Sequence, residues 1–187
     1  MCPERNTTTD NVRRSPAVSA SATYTSHAET TPPAILRAWY NPAEDNLAVR
    51  PVDSTSWSGW QATLDELKRV VEARDDFVGV LGFSQGAAVA GLLVALYPTK
   101  FRFCILVSGF TPNDVNVGSL YPVAAGGGVP VPSLHVMGVS DPFVSLARAE
   151  LLASKFRNPK VLVHEEGHVV PPRELFNAIK EWCLNFQ

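Results

Sequence analysis

The chain has 187 residues, 45% of them hydrophobic and 18% charged, with a formal net charge of -2. That length suits a single domain with a substantial core, and the near-balance of charge gives no electrostatic reason to expect nucleic acid or an anionic membrane as partner. No run reaches the roughly 18 apolar residues of a membrane span, and Cys2, Cys104 and Cys183 are too widely spaced for a metal-ligand pattern.

Residues 1–31 are rich in Thr, Ser, Asn and Ala. They hold too little bulky apolar content to bury and lack a signal-peptide core, so this segment is expected to be disordered and residues 32–187 to form the domain. Ile35-Leu36-Arg37-Ala38-Trp39-Tyr40 reads as a short strand. From Trp60 to Val71 the spacing predicts a helix with Trp60, Leu64, Leu67 and Val71 on one face. Apolar runs then predict strands over 77–81, 103–107, 133–137 and 160–164, and helices over 85–96, 142–156 and 172–185. Between them, residues 124–132 read as a flexible surface loop, whose glycines lack the context of a phosphate-binding loop. Strand alternating with helix implies an α/β fold, a mainly parallel sheet between helical layers in a three-layer sandwich. Cys104 falls in a buried-type strand and reads as a small core residue. An odd, scattered set of cysteines suits a reducing, cytoplasmic setting.

The chemistry concentrates in Gly82-Phe83-Ser84-Gln85-Gly86, which follows the strand at 77–81 and opens an alanine-rich helix. A serine in a G-x-S-x-G turn sits in a strained backbone that needs nearly bare flanking residues. Its hydroxyl then stands over the end of the sheet, and the N–H of Gln85 and the helix N-terminus face any negative charge forming there. A bland alternative is a glycine-rich turn whose serine caps the helix.

A serine needs a base to become a nucleophile. His27 lies in the polar N-terminal stretch, and His135 sits at a strand position that suits a satisfied core histidine. His168 stands in a loop between a strand and a helix, from which its ring can reach across the sheet edge; His164, at a strand end, is the fallback. The orienting acid is Asp141, immediately after a strand, although an N-cap with Pro142 at the first helical position is a respectable alternative. Asp114 could substitute in principle. The chain order Ser84, Asp141, His168 is that of α/β-hydrolase triads. Phe83 and Phe143 suit the walls of an acyl pocket, as does Phe110, though bulk packing explains all three equally well.

The run Gly79-Val80-Leu81-Gly82-Phe83-Ser84-Gln85-Gly86-Ala87 resembles the nucleophile segment of the FSH-type serine hydrolases, small α/β-hydrolases of fungi and other eukaryotes. The resemblance continues through Phe103–Phe110, Ser133–Gly138 with Asp141, and Gly167-His168-Val169-Val170-Pro171, covering roughly Ala34 to the C-terminus. It implies Ser84 as nucleophile, Asp141 as acid, His168 as base, and hydrolysis of small-molecule carboxylic esters or thioesters without a cofactor. Some fungal relatives act in this way in secondary metabolism. Whether an acyl carrier protein delivers the acyl group depends on pocket shape, which the sequence does not fix.

Members of that family normally open with an apolar strand and a His-Gly-type loop that supplies a second oxyanion donor. The polar stretch Met1–Thr31 does not match it. The expectation is an N-terminally truncated or degenerate form, with one donor fewer and an unpaired edge on the strand that carries Ser84. A catalytically impaired relative that acts as a binding protein is the alternative reading.

Overall fold

The computed structural model describes residues 38–42, 52–122, 127–170 and 173–186. The segment 1–31, His27, Cys2 and the start of the expected strand at 35–40 lie outside the described residues. Where that strand was expected to end, Trp39 and Tyr40 form a bend. The chain then pairs β1 (Asn41–Pro42) antiparallel with β2 (Trp57–Ser58).

After β2, Gly59 turns the chain at φ 75° into α1 (Trp60–Glu72). Trp60 and Val71 are buried, with Leu64 and Leu67 packed beside them, so the predicted face is the one that meets the core. Four parallel strands follow: β3 (Gly79–Phe83), β4 (Phe103–Val107), β5 (Ser133–Gly138) and β6 (Lys160–His164), in the spatial order β3-β4-β5-β6. Their connections carry α2 (Gln85–Leu96), the short α3 (Val115–Gly118) and α4 (Leu146–Ala153), and α5 (Leu175–Leu184) closes the chain.

The sheet has a core on each face, as burial of both faces of a parallel sheet requires. On one face α2 is buried from Ala87 to Val94, and its small side chains let it lie close to β3 and β4. On the other, Ile105, Val107, Leu134 and Val136 meet Leu175, Ile179 and Trp182 of α5. This is the expected three-layer α/β arrangement. No helix among the described residues is long and apolar enough to cross a membrane.

Several boundaries differ from expectation, α5 among them at Leu175–Leu184, and three differences have a local reason. β3 runs to Phe83 because Gly82 and Phe83 keep pairing with Leu106 and Val107, which narrows the turn to Ser84. α4 starts at Leu146 because the Asp141 carboxylate holds the residues before it in a turn, described below. The surface loop expected at 124–132 is described only from Gly127, and there Val129 and Val131 are buried, with Val129 exchanging backbone hydrogen bonds with Lys155 and Arg157. The alternation of valine and proline from 129 to 132 gives these two residues a common inward face.

β3 lies at one edge of the sheet, and no second strand flanks it among the described residues. Leu81, on that strand, is 64% exposed.

Candidate active site

Ser84 joins the end of β3 to the first turn of α2 with φ 54° and ψ -120°, a conformation that costs a non-glycine residue about 1–3 kcal/mol. Its N–H donates to the Val107 carbonyl (2.9 Å), and its own carbonyl accepts from Ala87 and Ala88, so strand and helix hold the turn from both sides. Gly82 makes the geometry feasible: a methyl group there would stand 2.3 Å from the Gly86 carbonyl oxygen and 2.6 Å from the Ala87 backbone. Gly86 is less constrained, since a methyl group at its position would meet only the Trp39 indole nitrogen at 3.5 Å. The Gln85 N–H is at the first helical position, where an α-helix leaves its N–H groups without intrahelical partners.

His168 Nε2 lies 2.8 Å from Ser84 Oγ, and its Nδ1 lies 2.7 Å from Asp141 Oδ2. With the ring proton on Nδ1, the imidazole donates to the carboxylate and Nε2 is left to accept from the serine hydroxyl. The Asp141 side chain is 1% exposed. Its other oxygen, Oδ1, accepts from the N–H groups of Phe143 and Val144, both at 2.8 Å. The N-cap reading does not hold, because Ser145 is the N-cap of α4 and Pro142 lies in a bend ahead of the helix; Oδ1 instead ties that bend while Oδ2 faces His168. The hydrogen-bonded chain gathers residues 27 and 84 positions apart at the carboxyl edge of the sheet, where open α/β sheets bind ligands.

Phe83 and Phe143 both reach His168, with ring centroids 4.9 Å and 5.2 Å away, and Phe143 is half exposed. Phe110 is placed elsewhere: it is buried in the core, edge-on to Trp57, with the Arg148 guanidinium over its ring. His135 is a core histidine, buried beside Phe156 with Nε2 3.1 Å from Ser133 Oγ, and burial depresses its pKa to about 4. His164 is buried, and neither of its ring nitrogens has a hydrogen-bond partner among the described residues. Asp114 caps α3 through Asn116 and Val117 and accepts from the Trp57 N–H, so its oxygens are occupied by backbone. Cys104 is buried, which pushes its thiol pKa up to about 12. Among the described residues no group of three or more His, Cys, Asp or Glu could hold a metal ion.

The family pattern described as serine hydrolase (FSH1) matches residues 8–178. The chain belongs to this serine hydrolase family. It is 36% identical over 138 residues to Esterase OVCA2 of Xenopus tropicalis, covering 71% of this chain and 58% of that protein. The Bos taurus protein of the same name is 34% identical over 140 residues, covering 71% and 60%. The chain thus spans about three-fifths of the length of these curated relatives. Among solved structures, Arabidopsis thaliana SOBER1 superposes with a TM-score of 0.62 at 20% identity, covering 81% of this chain and 75% of the other. Zea mays acyl-protein thioesterase 2 gives 0.57 at 21%, covering 80% and 73%. At such identities the likeness shows the fold, an α/β-hydrolase.

In this member of the family, one feature of the elbow had only a slight signal in the sequence. The Gln85 side chain reaches back to the segment before β1: its Oε1 accepts from the Trp39 N–H (2.9 Å) and its Nε2 donates to the Tyr40 carbonyl (2.8 Å). The Thr63 hydroxyl donates to the Trp39 carbonyl, and the Tyr40 ring stacks on Trp57 at 3.6 Å. The residue after the serine thus anchors a segment 45 positions away beside the first turn of α2. A glutamine within a nucleophile elbow is the one local hint of such a contact; its partner is set by tertiary structure.

Proposed function

We propose that the protein is a serine hydrolase that cleaves carboxylic esters or thioesters through an acyl-enzyme on Ser84. The observation that carries this reading is the unbroken hydrogen-bonded chain from Ser84 Oγ through His168 to Asp141. His168 Nε2 takes the hydroxyl proton as Ser84 Oγ bonds to the acyl carbon. Asp141 keeps the ring in the right tautomer and stabilises the imidazolium. The Gln85 N–H and the start of α2 offset the charge on the tetrahedral oxygen. The carbon–oxygen or carbon–sulfur bond to the leaving group then breaks, and the alcohol or thiol departs with the proton from His168. Water, deprotonated by the same nitrogen, releases the acid and regenerates Ser84. Phe83 and Phe143, flanking His168, wall the acyl site. The relatives named esterases favour oxygen esters as the first substrates to try, and the maize thioesterase of like fold favours adding thioesters.

The test is labelling of purified protein with a fluorophosphonate probe, comparing wild type with Ser84→Ala and His168→Ala. Labelling of wild type and its loss in both variants is the expected result, with ester turnover reduced at least about 10³-fold in each. A folded wild-type protein that takes no label overturns the reading.

A further inference from the structure

Two loops meet at the carboxyl end of β5. One carries Asp141 and the other carries His168, and Gly138, the last residue of β5, lies between them. The Gly138 carbonyl accepts from the Asp141 N–H (3.4 Å), and the next residue, Val139, donates to the His164 carbonyl (2.8 Å). A methyl group at Gly138 would stand 2.5 Å from the Glu166 carbonyl oxygen, 2.6 Å from that of Gly167 and 3.0 Å from His164 Cε1. Non-bonded carbon atoms settle near 3.5–4.0 Å, so separations this short are strongly repulsive. Both oxygens belong to the backbone, and no change of rotamer relieves the collision. The chain at 166–167 has to move, and His168 is its next residue.

We propose that Gly138 is a positioning residue for the base: its missing side chain lets the His168 loop settle low enough over β5 for the ring to bridge Asp141 and Ser84. The inference rests on the serine hydrolase reading above. Gly167 provides a comparison in the same loop, because a methyl group there would make ordinary contacts, 3.4 Å to the Ser140 carbonyl oxygen and 3.6 Å to Pro142 Cδ.

The experiment measures turnover of p-nitrophenyl butyrate by wild type, Gly138→Ala, Gly167→Ala, His168→Ala and the double variant Gly138→Ala/His168→Ala, with circular dichroism and thermal melting on each. A displacement of the base by about 1 Å is enough to cost on the order of 10²-fold in rate. Gly138→Ala is therefore expected to fold, to lose about 100-fold in kcat and to keep KM within about threefold of wild type. Gly167→Ala should stay within about threefold in both constants. In the His168→Ala background, Gly138→Ala should remove less than about threefold more, because its effect passes through the ring. A loss that survives intact in that background, or wild-type turnover by Gly138→Ala, overturns the inference. Failure of Gly138→Ala to fold does so as well, since Gly138 would then serve the fold rather than the base. Absence of Ser84-dependent turnover in wild type is a different failure: it removes the hydrolase reading itself.

Discussion

At the scale of single residues, Asp141 divides two tasks between two oxygens, and the division can be tested. Oδ1 holds the turn before α4 through Phe143 and Val144, while Oδ2 faces His168 Nδ1. Asparagine in its place keeps a carbonyl oxygen for the turn but presents an N–H₂ group to the ring. Nδ1 must then accept, the ring proton moves to Nε2, and the serine hydroxyl loses its acceptor. Asp141→Asn is therefore expected to lower kcat by about 10⁴-fold while leaving the urea midpoint close to wild type. Asp141→Ala removes both functions and should cost about 1 kcal/mol of additional stability, the ordinary net worth of a hydrogen bond. Equal midpoints for the two variants would show that Oδ1 does not hold the turn. An asparagine variant with more than a tenth of wild-type kcat would show that the carboxylate does not set the tautomer. In the sequence a helix N-cap and an acid are rival readings of Asp141; the N-cap of α4 is Ser145, and Asp141 ties the bend ahead of it. No local pattern says that one oxygen ties that bend while the other meets His168.

At the scale of elements, the elbow is a crossing of β3 and α2, and its two glycines are not equivalent. The first turn of α2 passes so close to Gly82 that a methyl group has no room, whereas Gly86 has an ordinary contact with Trp39. Gly82→Ala should therefore push the helix off the strand and lower the free energy of unfolding by about 1–3 kcal/mol. Gly86→Ala should leave it unchanged or raise it by up to about 1 kcal/mol, through helix propensity. Urea denaturation of the two variants decides the point: similar losses in both would mean that the close approach at Gly82 is not what fixes the elbow. The motif G-x-S-x-G announced this crossing, and the apolar run after it announced a buried helix. It did not announce which glycine carries the steric load, because that depends on the angle at which the helix leaves the strand.

At the scale of the whole molecule, the features legible in the sequence were those with a local period or a short motif: the four strands, the helices and the order of Ser84, Asp141 and His168. Contacts that join distant segments left no such trace. The Gln85 carboxamide meets Trp39 and Tyr40 only once the fold exists, and Phe110 turns to Trp57 for the same reason. His135 belongs to both classes, since its strand position was readable and its consequence for stability comes from burial. Its ring lies in β5, inside the sheet, and burial lowers its pKa from 6.5 to about 4. Above about pH 6.5 the ring is neutral in both folded and unfolded chains, and its contribution to stability is fully present. As pH falls from 6.5 towards 4 the unfolded chain takes up a proton that the folded chain refuses, so stability declines; below 4 both forms are protonated and the decline from this residue stops. A shift of this size corresponds to a loss on the order of 3 kcal/mol. His135→Gln, which cannot titrate, should flatten the dependence of unfolding free energy on pH between about 4 and 6.5 by up to one proton. The difference between the two curves isolates the residue, because every other group titrates in both chains. Parallel curves for wild type and variant across that window would mean that His135 takes its proton in the folded protein as readily as in the unfolded one, and that burial in β5 does not govern acid stability.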